Sequence, residues 1–292
     1  EINYRDWSSD VCSSDLGEVG GRVYGGWAKG GGGGKANDNT VTITGGEIET
    51  VYGGYSTSGD ATGNTVTITG GEVNASVYAG HSVSGKDTYN TVNLGDGTSK
   101  MTSGYSLHWI VGGIQDDITG NTLNVKTNVK AENIASFETI NFYNNASFDK
   151  TQPFLTLDGA GMARIHSLSG VNLIGAEGLW GTYTLINRTT GGFTITDGES
   201  SRSKTKENTE QFLSIDGANK NLLCTVYQFK DVTATEATAL NDGTALCAGR
   251  SKMGNSTVNN MLTMGSGTYT KVYGGKTTTR SEERRVGKEC RS

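Results

Sequence analysis

The sequence predicts an all-β chain wound as a parallel β-solenoid, a β-helix built from repeats of about 26 residues. Three observations carry this. A Val-Tyr-Gly-Gly-like phrase recurs at Val23–Gly26, Val51–Gly54, Val77–Gly80, Ile110–Gly113 and Val272–Gly275. An alternating phrase headed by Asn recurs at Asn39–Ile43, Asn64–Ile68, Asn90–Leu94, Asn121–Val125 and Asn260–Met264. Their spacing is nearly constant: 12 positions from Asn39 to Val51, 13 from Asn64 to Val77, and again 12 from Asn260 to Val272. The irregular step from Asn90 to Ile110 carries an added loop around Asp96–Ser103. Insertions confined to loops while the strands keep their text are what a stacked fold tolerates.

Residues 17–130 form the first repeat array. Side chains alternate faces along a strand, so Val41 and Ile43 point inward and Thr40, Thr42 and Thr44 outward. Val66 and Ile68, Val92 and Leu94, and Leu123 and Val125 repeat the inward pair. One unit buries too few aliphatics to offset the entropy of ordering its backbone; stacking turns the pairs into continuous ladders at the spacing of paired strands, about 4.8 Å. The glycines suit turns of positive φ or close backbone approach. Asn at the head of each strand can bond neighbouring backbone and, once stacked, form a ladder.

Residues 131–250 form a non-repetitive β segment that continues the solenoid. Ile134–Phe148 alternates loosely; Leu155–Leu157, Ala163–Leu168 and Val171–Ile174 are short strands. Thr182–Ile186 and Gly192–Thr196 are expected to pair with each other. Ser200–Asn208 is a charged, solvated loop, Phe212–Ile215 and Leu222–Phe229 are strands, and Asp231–Asn241 fits either a strand or a short helix. A second array occupies residues 251–279 and is cut in mid-repeat.

Residues 1–16 and 280–292 share none of this text. Both resemble translated sequencing adapters and are set aside as non-native, making the chain a fragment of a longer product. The whole chain carries a net charge of −5; Asp6–Leu16 contributes −3 and Arg280–Ser292 +2, which leaves −4. This mildly acidic balance offers no basic face for nucleic acid. With the end cysteines excluded, Cys224 and Cys247 allow one disulfide or two unpaired core residues. The single proline and the β-branched alternation argue against a disordered stalk.

The VYGG…GNTVTITGGE units at Val23–Glu47, Val51–Glu72 and Val77–Leu94, with Phe137–Phe142 and Thr182–Ile186 after them, resemble the passenger region of bacterial autotransporters, the type V secreted surface proteins. The resemblance implies a surface-exposed structural and adhesive role at a Gram-negative outer surface. It implies membrane contact only through a C-terminal β-barrel outside this sequence, and partners that are host glycans or proteins, or further copies of the chain.

No catalytic, cofactor-binding or metal-binding constellation emerges, and the chain is not expected to be an enzyme. Gly30–Gly34 followed by Lys35 fails as a phosphate loop: Lys29 stands at the first glycine position, and Ala36 replaces the Ser or Thr that would hold Mg²⁺. His81, His108 and His166 lack metal-ligand spacing. Asp96, Asp116 and Asp117 read as turn residues. Two outward features remain. Tyr24, Tyr52 and Tyr78 follow the inward Val, and Trp27, Tyr55 and His81 follow the Gly pair, so two adjacent ring columns along one edge are candidate ligand contacts. Outward threonines form the second feature, with Thr40, Thr42 and Thr44 above Thr65, Thr67 and Thr69, and Asn93 and Asn124 in the next tiers. Two other function classes stay open: a β-helical carbohydrate-active lyase or hydrolase, and ice binding by the Thr face. An enzyme would gather charged side chains from several coils in one cleft; a passenger would scatter them.

Overall fold

The computed structural model describes residues 11–14, 18–30, 32–98, 107–160, 162–206, 208–216, 218, 220–235, 240–241, 246–257, 259–263 and 272–277. Among them the chain is all-β; the one helical element is the 3₁₀ turn Leu168–Gly170. The chain divides into two compact units. The first holds Glu1–Gly175, Tyr183–Arg202 and Leu213–Cys224, and the second Ala176–Thr182, Ser203–Phe212 and Thr225–Ser292. The sequencing-adapter-like ends lie mostly outside the described residues. Of them, Val11–Ser14 forms a strand alongside Thr40–Ile43.

The first unit is a stack of parallel strands with two main faces. Thr40–Ser56, Thr65–Val73, Thr91–Leu94, Thr122–Val125, Thr139–Tyr143 and Val171–Ile174 build the first face in parallel register. Val41, Val66, Val92, Leu123, Ile140 and Val171 lie above one another there, as do Ile43, Ile68, Leu94, Val125, Phe142 and Leu173. All twelve are buried. The inward pairs thus extend two tiers beyond the repeats, into text without Gly-Gly punctuation. Thr40, Thr65, Thr91, Thr122 and Thr139 are partners in register, although successive members are 25, 26, 31 and then 17 positions apart. Register is held while loop length varies, because the inward aliphatics pin one face.

The same strand, Thr40–Ser56, also serves the second face. Its latter half pairs with Glu18–Ala28 on one side and Ser76–Ser82 on the other, followed by Leu107–Val111, Val129–Ala135 and Leu155–Leu157. The strand turns between faces at a bulge after Ile43, where Gly46 takes φ 82° and Gly71, one tier on, φ 83°. That bulge corrects the expected third Thr column: Thr44 pairs with Gly70, not Thr69.

The two glycine pairs of the repeat do different jobs. Gly46 and Gly71 supply the left-handed backbone of the corner. The Val-Tyr-Gly-Gly glycines need none of that freedom; a Cβ on Gly26, Gly54 or Gly80 would strike the side chain of Asn39, Asn64 or Asn90. Those asparagines, with Asn121, are buried and form the expected ladder. Asn64 Oδ1 accepts from Asn39 N at 3.0 Å and Asn39 Nδ2 at 2.8 Å; Asn90 Oδ1 accepts from Asn64 N at 2.9 Å and Asn64 Nδ2 at 3.1 Å; Asn121 Oδ1 accepts from Asn90 N at 2.9 Å. The residue before each ladder Asn is left-handed: Asp38, Gly63, Tyr89 and Gly120. A Ser after the phrase adds a second link, since Ser56 Oγ donates to Gly34 O and Ser82 Oγ to Gly59 O, both at 2.7 Å.

Three expectations beyond the repeats need correction. Gly181–Arg188 and Gly192–Ile195 are strands but do not pair with each other: the first pairs with Leu155–Leu157 and the second with Met162–Ile165. Parallel stacking joins a strand to its equivalent one tier away, not to its neighbour in sequence. Ser201–Lys206 is an exposed strand, not a loop, its charged side chains suiting a sheet edge. The strands after it leave the parallel scheme: Ile215 N donates to Ser200 O at 3.0 Å, and Arg188 N to Lys220 O at 2.7 Å, with Asn187 Nδ2 reaching Asn221 Oδ1 at 2.7 Å. These pairs run in the antiparallel sense.

In the second unit, Leu246–Ser251 pairs in parallel with Val272–Thr277, setting Gly249 opposite Gly275. Of the stretch open to strand or helix, Thr233–Thr235 is a strand paired with Met261–Thr263. Asn260 repeats the corner role: its Oδ1 accepts from Val232 N at 2.9 Å, it follows left-handed Asn259, and Gly249 leaves room for its amide. Cys224 and Cys247 are both buried, and neither is in a disulfide.

Candidate functional site

The aromatic edge lies on the second face of the first unit. Register places Tyr24, Tyr52 and Tyr78 in one column and Trp27, Tyr55 and His81 in another, since Val51 and Val77 turn inward and the next residue must turn out. Tyr24 and Tyr52 stack with centroids 4.9 Å apart, and Tyr52 and Tyr78 at 5.1 Å, nearly parallel in both cases. Tyr55 and His81 stack at 4.7 Å. Across the columns the rings meet edge to face, Tyr52–Tyr55 at 5.3 Å and Tyr78–His81 at 5.3 Å.

Trp27 departs from the expected second column. Its ring lies flat on Tyr24, 5.1 Å away and 15° from parallel, and meets Tyr55 only edge-on at 6.4 Å. The first column is therefore four rings deep, Trp27–Tyr24–Tyr52–Tyr78. Lys29 Nζ lies 5.7 Å from the Trp27 centroid. Stacking at strand spacing makes the rings cover one another's faces. Tyr52, in the middle, is only 8% exposed, whereas Tyr24, Tyr55, Tyr78 and His81 stay half-buried. What this edge offers a ligand is ring edges and phenol oxygens, not open ring faces. Burial raises the Tyr52 phenol pKa, a shift that the Arg22 cation opposes. A side-chain hydrogen bond to Tyr24 holds the Arg22 guanidinium protonated. Burial also lowers the His81 pKa, favouring its neutral form.

On the first face the outward residues are more regular than the repeat text shows. Thr40, Thr65, Thr91, Thr122 and Thr139 make a column of five. Beside it run Thr42, Thr67, Asn93, Asn124, Asn141 and Asn172. The amides of this second column are hydrogen-bonded tier to tier: Asn93 donates to Thr67 Oγ1 at 3.1 Å, Asn124 to Asn93 and Asn141 to Asn124 at 2.9 Å, and Asn172 to Asn141 at 3.0 Å. Asn141 and Asn172 escaped sequence reasoning because no repeat phrase surrounds them, although each sits between two inward apolar residues.

Two of the carboxylates singled out as turn residues, Asp96 and Asp117, behave as such. Asp96 Oδ1 accepts from Thr98 N at 2.7 Å, and Asp117 Oδ1 from Thr119 N at 3.1 Å and Thr119 Oγ1 at 2.6 Å. The Thr119 hydroxyl is the main reason the Asp117 pKa is lowered. Gly30, Gly33 and Gly34 pack against the next tier: Ser58 Oγ donates to Gly30 O, and a Cβ on Gly59 would strike Gly33 O and Gly34 O. Charged side chains pair one to one between tiers, Lys35–Asp60 at 2.8 Å and Lys130–Asp158 at 2.6 Å, the kind of exposed pair that contributes little stability. Among the described residues no three His, Cys, Asp or Glu side chains converge as metal ligands.

Sequence reasoning missed the buried charged groups, because nothing in their local text marks them. Asp87 is buried, with Oδ2 accepting from Ile114 N at 2.5 Å and Gln115 N at 3.0 Å; loss of hydration raises its pKa. Arg188 is buried among carbonyls: Nη2 donates to Gly159 O at 3.0 Å, and Nη1 to Glu132 O and Asn133 Oδ1, both at 3.4 Å. Burial lowers its pKa. In the second unit, buried Glu210 accepts from Lys252 N at 2.6 Å, Met253 N at 3.0 Å and Asn255 Nδ2 at 2.7 Å. No protein-family model, curated protein or solved structure matches this chain.

Proposed function

We propose that the chain is a parallel β-solenoid serving as a surface-exposed structural and adhesive passenger region of an autotransporter-like protein, presenting a repetitive β face to host glycans or proteins. One observation carries the reading: six tiers share one register, so each outward residue type becomes a column. Such columns are an extended display surface, the use to which solenoids are put. In the first unit the one-to-one pairing of Lys35 with Asp60 and of Lys130 with Asp158 supports scatter over a gathered cleft. Localisation at a Gram-negative outer surface and a membrane barrel beyond this sequence belong to the same reading.

The half-buried rings Tyr55 and His81 carry the contact, with Tyr24, Trp27 and Tyr78 beside them; Tyr52 holds the column together. Tyr55→Ala/His81→Ala is expected to reduce adhesion of the purified chain to host cells by at least tenfold while leaving the melting temperature within a few degrees. Tyr52→Ala removes a buried ring with two stacked neighbours and is expected to cost about 3 kcal/mol in urea unfolding. Undiminished adhesion of the Tyr55/His81 variant would dismiss the edge as the contact surface.

The five-deep Thr column favours a second reading, ice binding, since hydroxyls and methyls repeat at strand spacing across a pleated face. The chain should then show thermal hysteresis that Thr65→Lys/Thr91→Lys removes. An unmodified chain without any effect on ice growth ends that reading.

A further inference from the structure

The second unit holds a cluster that the repeat pattern does not produce. The Tyr227 ring has the Arg250 guanidinium carbon 5.9 Å and Lys252 Nζ 5.7 Å from its centroid. Trp180 meets Tyr227 edge to face at 6.4 Å and 82°, and Phe212 does so at 5.6 Å and 86°. All five side chains are partly exposed. Arg250 lies near the end of the strand Leu246–Ser251 and Lys252 follows directly after it, with buried Ser251 between two partly exposed cations. Lys276 is the register partner of Arg250 and extends the cationic column by one tier.

Two buried polar side chains brace this arrangement. Gln228, 4% exposed, donates to Ala176 O at 2.8 Å and Leu179 O at 2.9 Å, fixing the turn that leads into Trp180. Glu210, fully buried, accepts the backbone N–H groups of Lys252 and Met253. A buried polar group is costly unless satisfied; here both are satisfied by the segments that carry the surface cluster. The geometry also differs from the first unit's aromatic edge. There, parallel rings cover each other. Here Trp180 and Phe212 each meet Tyr227 at near right angles, so neither ring is stacked flat on it.

We propose that Trp180, Phe212, Tyr227, Arg250 and Lys252 form a binding site for an anionic sugar, with carboxylate or sulfate on the two cations and the pyranose on the rings. Aromatic faces suit the apolar face of a sugar, and the guanidinium fork suits a planar or tetrahedral anion. The same chemistry also fits single-stranded nucleic acid, but the described cationic column is three side chains, Arg250, Lys252 and Lys276, not the positively charged groove that tracks a nucleic-acid backbone. The site does not depend on the adhesive reading of the first unit.

The test is titration of the full chain with polygalacturonate, heparin, uncharged dextran and oligothymidylate, followed by tryptophan fluorescence and calorimetry at two salt concentrations. Saturable binding of polygalacturonate (a carboxylated source) or heparin (a sulfated one) is expected, and the stronger of the two identifies the anion. Arg250→Gln/Lys252→Gln should weaken binding at least tenfold and flatten its salt dependence, whereas Tyr55→Ala/His81→Ala should leave it unchanged. Phe212→Leu, which keeps both charges, should weaken binding with the salt dependence intact, and it serves as the second variant if the double substitution lowers the melting temperature. Equal affinity for dextran, tighter binding of oligothymidylate, no saturable binding of either acidic polymer, or affinity unchanged in both variants would each overturn the proposal.

Discussion

Replacing Asn64 with Ala is expected to lower the unfolding free energy by about 4 kcal/mol, because two buried donors lose their acceptor at once. Asn64 Oδ1 accepts from both the backbone N–H and the side-chain amide of Asn39, and both asparagines are almost wholly buried. Water cannot take the vacated place without opening the corner. An orphaned buried donor costs about 1–3 kcal/mol, so two account for the expected loss. The control is Asn93→Ala on the outer ladder, where two amide bonds, to Thr67 at 3.1 Å and from Asn124 at 2.9 Å, are lost in a part-buried setting that water reaches and about 1 kcal/mol is expected. Urea unfolding followed by far-UV circular dichroism compares them. Equal, small losses would mean that the inner ladder does not hold the stack.

Gly54→Ala should cost more than about 3 kcal/mol, at the upper end for overpacking. The added methyl would overlap Ala36 O and the Asn64 amide. Neither can yield cheaply: the first is backbone of the neighbouring loop, the second a ladder member. Gly45 offers a matched control. It lies in the other glycine pair, has nothing within 4 Å of an added Cβ and does not take positive φ. Gly45→Ala is expected to change stability by less than about 1 kcal/mol, and a small gain is in keeping with the reduced freedom of the unfolded chain. Thermal melts of the two variants separate close approach from turn geometry. Similar melting temperatures would show that the Val-Tyr-Gly-Gly glycines are there for another reason.

The ladder and the glycines explain each other. Asn fills the corner of each tier only because the facing residue has no side chain, so the two phrases of the repeat are one steric unit split across 10 to 13 positions of sequence. The second unit repeats the pairing with Asn260 and Gly249, although its upper phrase reads Leu-Cys-Ala-Gly and escapes the Val-Tyr pattern. The requirement is steric at one position, not textual along the phrase.

The sequence alone determined the strand period, the inward aliphatic pairs from Val41 to Val125, the ring columns from Tyr24 to His81 and the turn role of Asp96 and Asp117. These are local: alternation and repeat spacing set them within some 30 residues, and stacking copies them. Only tertiary structure decided that Trp27 folds onto Tyr24, that the outer amide column runs on through Asn141 and Asn172, and that Thr44 drops out of the threonine face. The same holds for Asp87, Arg188 and Glu210, whose burial depends on backbone groups 27 to 56 residues away. Where the text does not repeat, no spacing reveals which distant backbone a charged side chain will meet, and the low-dielectric interior makes that meeting decisive.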